Sequence, residues 1–152
     1  MWIMELKKKI LTEVEEVVAN SGLMLVDLNI RGNENNKIIE IFIDGDDFIT
    51  TKICSDISRQ IGDKFETDEV ITTKYRLDVS SPGTDRPLKF LRQYKKNINR
   101  LFEIKFVEND QVVKKNGELT EIREELLFFK IAGEIKSIKF SDIKSAKVLI
   151  RF

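Results

Sequence analysis

Apolar residues recur with helical spacing at the start of the chain: Ile3, Leu6, Ile10, Leu11, Val14, Val17 and Val18. That spacing predicts a helix over residues 3–19, ended around Asn20 to Gly22 by a glycine suited to a left-handed cap. Alternation follows. Met24, Val26, Leu28 and Ile30 would share one face of a strand, and Ile39, Ile41 and Ile43 one face of a second. The turn-rich stretch Gly32 to Asn36 between them predicts a hairpin with a loop of about five residues. After the acidic turn Asp44 to Asp47, Thr50 or Thr51 can cap a second helix. Its buried stripe is Ile53, Ile57, Ile61 and Phe65, and Tyr75, Leu77 and Val79 line a third strand. The order helix, strand, strand, helix, strand predicts an α+β unit with two helices on one face of a three-stranded sheet. It is similar to KH-like modules. A KH clamp on RNA needs a Gly-x-x-Gly loop, and no two glycines here are three apart.

The pattern changes in the second half. A polar-basic helix is expected near residues 88–97. Short strand-like runs come next: Leu101 to Val107, a strand begun or bent at Gly117-Glu118-Leu119, Leu126 to Ile131, Ile135 to Phe140, and Ala146 to Ile150. Several short strands with little helix predict a small closed barrel, SH3-like or Sm-like. Closure would remove exposed edges. Leu126, Leu127, Phe128 and Phe129 cannot all face one interior, because side chains alternate along a strand. Either this strand is covered on both faces, with the first domain as a candidate cover, or one Phe is exposed for a partner; coverage is the favoured expectation.

Charge sharpens this division. Net charge is zero, yet residues 1–82 carry 10 basic against 16 acidic side chains, and residues 83–152 carry 16 against 10. Such asymmetry predicts two domains with different partners, an acidic one at 1–82 and a basic one at 83–152. The basic half is the one suited to RNA. Other chemistry is sparse. There is no histidine and one cysteine, Cys54, which argues against a disulfide or a structural zinc site and points to a reducing cytoplasm. Cys54 falls beside Ile53 and Ile57 and reads as a small core residue. Asp44, Asp46 and Asp47 lack the glycine and glutamate of a calcium loop, so no metal or cofactor is expected. No apolar run reaches the ~18 residues of a membrane span. Without phosphate-loop, Rossmann or Gly-x-Ser-x-Gly spacing, and with Ser80 and Ser81 lacking an evident base, no catalytic residue is expected.

The most specific segment runs from Leu77 to Leu88: Leu77-Asp78-Val79-Ser80-Ser81-Pro82-Gly83-Thr84-Asp85-Arg86-Pro87-Leu88. Pro82-Gly83 favours a type II turn. Thr84 or Asp85 can cap the helix that follows, with Pro87 in its first turn. Arg86 can fork onto Asp78, Asp85 or a phosphate. A stiff hinge between two domains would use the same residues. Beyond it, Arg86, Lys89, Arg92, Lys95, Lys96 and Arg100 occur with no acidic residue among them. Lys89, Arg92 and Lys96 would share a helical face, so this stripe is the candidate RNA- or ribosome-binding site. A solvated helix face is the plainer alternative.

On that junction the sequence resembles the RimP family of ribosome maturation factors, whose motif is Val-Ser-Ser-Pro-Gly-x-Asp-Arg-Pro-Leu. Val79 to Leu88 match it, with Thr84 where leucine or isoleucine is more usual. The first helix, Ile43-Asp44, Ser55 to Gln60 and Gly117-Glu118-Leu119 also fall in the family's order. Asn99 stands where relatives often have glycine, and asparagine tolerates the left-handed region. The resemblance implies a KH-like domain followed by an SH3-like or Sm-like barrel. It implies a non-catalytic role in late assembly of the small (30S) subunit. The implied partners are the free subunit and ribosomal protein twelve of that subunit. For the basic stripe the expected partner is 16S ribosomal RNA, and the protein is expected to be monomeric. A general RNA-binding or protein-only adaptor is the competing expectation.

Overall fold

The computed structural model describes residues 2–83 and 86–149, with backbone alone at residues 2 and 3. Thr84, Asp85 and Ile150 therefore lie outside the described residues, as does the side chain of Ile3. The chain divides into two compact units, Met1–Pro82 and Gly83–Phe152.

The first unit runs α1 (Trp2–Asn20), β1 (Met24–Asn33), β2 (Asn36–Asp44), α2 (Thr51–Thr67) and β3 (Lys74–Ser80). The sheet order is β1-β2-β3, antiparallel between the first two and parallel between the last two. Ile10, Val14 and Val18 of α1, Ile57, Ile61 and Phe65 of α2, and Ile39, Ile41 and Ile43 of β2 make one core. The helices end and begin as their sequences specify. At the end of α1, Gly22 takes φ +75° while Gly22 N donates to Ala19 O and Leu23 N to Val18 O, a glycine-closed C-terminus. Thr50 Oγ1 accepts from Ile53 N at 3.2 Å and caps α2.

Two local features depart from the sequence reading. The hairpin turn has two residues outside the strands, Glu34 and Asn35, and not about five. Asn33 Oδ1 accepts from the backbone N–H of Asn35 and Asn36 and closes it tightly. Strand β1 also carries a bulge between Leu25 and Asp27. A bulge shifts the side-chain alternation by one residue. Leu23 and Leu25 before it, and Leu28 and Ile30 after it, pack on the core, whereas Met24 and Val26 are not part of that cluster, Val26 being buried outside it. Between the helices, Lys64 Nζ lies 3.2 Å from Glu13, 3.3 Å from Glu16 and 3.7 Å from Asp68. Hydrogen bonds to Glu13 and Glu16 raise the lysine's pKa above its ordinary value.

The second unit opens with a 3-10 helix (Leu91–Asn97) and continues as β4 (Leu101–Glu108), β5 (Gln111–Arg123), β6 (Leu126–Ile131), β7 (Glu134–Lys139), a 3-10 turn (Phe140–Asp142) and β8 (Ile143–Val148). All five strands join one antiparallel sheet in the order β7-β6-β5-β4-β8. The sheet is open. The expected barrel closure is not made, because among the described residues no ladder joins β7 to β8. Gly117 bends a strand and does not start one, since β5 runs well to either side of it. A Cβ there would sit 2.8 Å from Ile131 Cγ1 and 3.3 Å from Phe129 Cβ. Phe102, Ile104, Phe106, Leu119, Leu127, Phe129 and Ala146 fill the core. The outward pair on β6 is partly covered from within its own hairpin. Leu126 is exposed, and half-buried Phe128 lies under the Arg123 guanidinium of the same hairpin, 5.4 Å from its ring centroid.

Candidate functional site

The junction segment and the basic residues after it are placed by hydrogen bonds that the sequence only partly discloses. Asp78 lies on β3, and its carboxylate accepts a fork from Arg76 of the same strand: Nε to Oδ1 at 3.1 Å and Nη2 to Oδ2 at 3.0 Å. Residues two apart on a strand project to the same side, which gives this fork its geometry. Ser80 ends β3 opposite Phe42 of β2. Ser81 is exposed and Pro82 half-buried. Arg86 N donates to Gly83 O at 3.2 Å and closes a turn, whose central residues, including Asp85 and its proposed capping role, lie outside the described ones.

The expected helix over residues 88–97 is shorter and tighter. It begins at Leu91 and is 3-10 throughout, so Pro87 lies ahead of it and not in its first turn. Leu88 is extended there, with its N–H donating to Ala146 O of β8 at 2.8 Å. The start is fixed by Gln93, fully buried, whose Oε1 accepts from the backbone N–H of Lys89 at 2.7 Å and of Phe90 at 2.8 Å. Asn97, also buried, donates from Nδ2 to Gln93 O at 2.9 Å. These two amides position the segment, and sequence reasoning passed over both. Their only signal was a polar side chain within an otherwise basic and apolar run.

The basic stripe is regrouped as a result. A 3-10 helix has about three residues per turn, so Arg92 and Lys95 share its exposed side. Lys89 stands before the helix, exposed, with Nζ 5.4 Å from the Phe90 ring centroid. Lys96 and Arg86 are half-buried, and Arg100 is exposed beyond the turn. That turn holds Asn99 at φ +75°, the left-handed geometry expected of it, with Asn99 N donating to Leu119 O. The structure thus joins Arg92 with Lys95, and separates Lys89 from the face it was to share with Arg92 and Lys96.

Tyr94 anchors the helix. It is fully buried, stacked on Phe102 at 5.8 Å and edge-on to Phe140 at 5.9 Å. Burial pushes its phenol well above the ordinary tyrosine range. Among the described residues its hydroxyl has no hydrogen-bond partner, and it adjoins a cleft of about 400 Å³ lined by Pro87, Leu88, Lys89, Phe140 and Lys144. An unpaired buried hydroxyl costs about 1–3 kcal/mol. Tyr94→Phe is therefore expected to raise stability by about 1 kcal/mol, read as a higher denaturant midpoint. A lower midpoint would mean that the hydroxyl is satisfied in solution.

Among the described residues no group of three or more Cys, Asp or Glu side chains is placed to hold a metal ion. Cys54 is half-buried on α2 with its thiol pKa pushed up by burial, the opposite of an activated nucleophile. No helix among the described residues is long and apolar enough to cross a membrane. The described residues thus set exposed cations on a segment held by buried amides.

Comparison with known proteins agrees in kind. Residues 13–85 match the RimP N-terminal domain, a stretch that takes in most of the first unit and the junction as far as Asp85. A curated relative named ribosome maturation factor RimP, from Flavobacterium psychrophilum, is 43% identical over 103 residues. The aligned stretch covers 67% of this chain and 63% of the relative, so the chain spans less than two thirds of that protein's length. By the domain match and this identity, the chain belongs to the RimP family.

Proposed function

We propose that this protein is a ribosome maturation factor acting in late assembly of the small (30S) subunit, as a binding protein and not an enzyme. The observation that carries this reading is the likeness to a relative named for ribosome maturation. The element order of the first unit fits a KH-like domain, and the strand order of the second fits an SH3-like or Sm-like sheet left unclosed. In this reading units 1–82 and 83–152 are separate domains, and the protein works in the cytoplasm as a monomer without cofactor or metal. Its partners are the free small subunit, ribosomal protein twelve of that subunit and 16S ribosomal RNA.

The exposure of Arg92 and Lys95 on one side of the 3-10 helix supports the site in this reading. Arg92 and Lys95, with Lys89, Lys96, Arg86 and Arg100 nearby in sequence, meet RNA phosphates, which supply affinity without base selectivity. The junction residues Asp78, Ser80, Ser81, Pro82, Gly83, Asp85, Arg86 and Pro87 set the segment's course. Charge reversal at Arg92, Lys95 and Lys96 is expected to weaken binding to purified small subunits and flatten its salt dependence. Unchanged binding across a salt titration would remove the site. The role itself is tested by sedimentation of lysate, where the protein is expected with free small subunits and not with whole ribosomes. One observation favours a protein-only adaptor: the outer edge of β7 carries no strand partner among the described residues, and such an edge can receive an extended peptide. Binding that survives nuclease and varies little with salt would select that reading.

A further inference from the structure

Strand register places on the second unit a group of lysines that no reading along the chain brings together. Phe102, Ile104 and Phe106 of β4 point into the core, so Glu103 and Lys105 face solvent. Opposite Lys105 stand Lys114 of β5 on one side and Ser145 of β8 on the other. Opposite Glu103 stand Asn116 and Lys147 in the same way. Paired residues of an antiparallel ladder project to the same side. Two adjoining rows across three strands therefore place exposed Lys105 and Lys114 and half-buried Lys147 on one face with a single carboxylate, Glu103. That carboxylate is 3.6 Å from Lys114. Among the described residues, Lys105 and Lys147 make no ion pair.

Two plain explanations do not cover all of these lysines. Lysines often blunt the open edge of a sheet, which suits Lys147 on the edge strand β8, but Lys105 and Lys114 lie on the interior strands β4 and β5 of the order β7-β6-β5-β4-β8. Nor does pairing within the sheet account for all of them: Glu103 stands opposite Lys147 and 3.6 Å from Lys114, one carboxylate for three lysines. Adjacent strands are only about 4.8 Å apart, so Lys105, directly opposite Lys114, carries a like-charge repulsion that this carboxylate only partly offsets.

We propose that this face of β4, β5 and β8 is a second phosphate-binding surface, distinct in sequence from the Arg86–Arg100 stripe, that takes the backbone of an RNA through Lys105, Lys114 and Lys147. The proposal rests on the ribosome-assembly reading for its choice of RNA as the polyanion. Lysine ammonium groups on flexible stems suit phosphates as point charges. The face offers them no arginine fork and no aromatic platform, so its contacts are independent of base sequence.

The test uses the full chain and a fluorescein-labelled RNA hairpin, with affinity read by anisotropy across a salt series. For Lys105→Gln/Lys114→Gln/Lys147→Gln, the slope of log affinity against log salt is expected to fall by about three, roughly one per lysine. Its melting temperature is expected to hold, because relief of the Lys105–Lys114 repulsion offsets loss of the exposed Lys114–Glu103 pair. The matching lysine-to-arginine variant keeps the charge and is expected to keep the slope. An unchanged slope in the glutamine variant overturns the surface, as does a loss of slope that the arginine variant shares. Competition by polyglutamate as strong as by unlabelled RNA also overturns it, in favour of an acidic protein partner. The assembly reading stands or falls separately, on whether the unaltered protein sediments with free small subunits.

Discussion

Phe102→Ala is expected to unfold the second unit while the first stays folded. Phe102 is fully buried, stacked on Tyr94 at 5.8 Å and edge-on to Phe129 at 5.7 Å. Its ring therefore joins the 3-10 helix to β4 and β6. Truncating a buried phenylalanine costs about 3–5 kcal/mol, counting the cavity left behind. A unit of this size draws only about 3–5 kcal/mol from one core, so the loss matches the whole reserve. Hydrogen exchange resolved by mass spectrometry gives the reading. Amides of β4 to β8 should lose protection, while those of β1 to β3 keep it. Joint loss in both units would show a single cooperative fold and remove the two-domain proposal.

Gly32→Ala should be the costliest glycine substitution in the first unit. Gly32 takes φ +91°, and a Cβ there would lie 2.3 Å from Asn36 O. The backbone strain alone is about 1–3 kcal/mol. The contact adds to it, because its partner is main chain in a tight hairpin and cannot rotate aside. Gly133 is the internal control. It takes φ +83° with nothing within 4 Å of a Cβ, so Gly133→Ala should cost only the conformational share, about 1 kcal/mol. Denaturant midpoints of the two variants, each compared with the unaltered protein, test the difference. Equal losses would mean that the β1–β2 hairpin relaxes around the new methyl.

Where periodicity was strong, the sequence disclosed the structure. Ile57, Ile61 and Phe65 recur every four residues and lie buried on α2, and Ile39, Ile41 and Ile43 alternate and lie buried on β2. Features decided by a single hydrogen bond or a single inserted residue were not legible. The bulge at Leu25 to Asp27 leaves the apolar count of β1 intact and changes only which residues face the core. The β4–β5 and β6–β7 turns use Asn109-Asp110 and Ala132-Gly133, all at positive φ; neither pair is the Asn-Gly signature of such turns. The segment 88–97 has apolar and basic residues that suit either three or four residues per turn, and buried Gln93 decides it. The lysine face depends on pairing between strands far apart in sequence. The run of cations from Arg86 to Arg100 could be seen at once, whereas Lys105, Lys114 and Lys147 could not.

The parallel pairing of β2 with β3 has a consequence for how the first unit comes to exist. β1 and β2 are neighbours across a two-residue turn, so they can find each other early and locally. β3 cannot join by any short route: the chain must leave β2 at Asp44, traverse α2 and re-enter at Lys74. Bringing those ends together costs chain entropy before any ladder bond forms. Docking of α2 through Ile57, Ile61 and Phe65 is what offsets that cost. The helix is thus the slow commitment step of the unit, and damage to its buried stripe should delay folding more than equal damage to the hairpin.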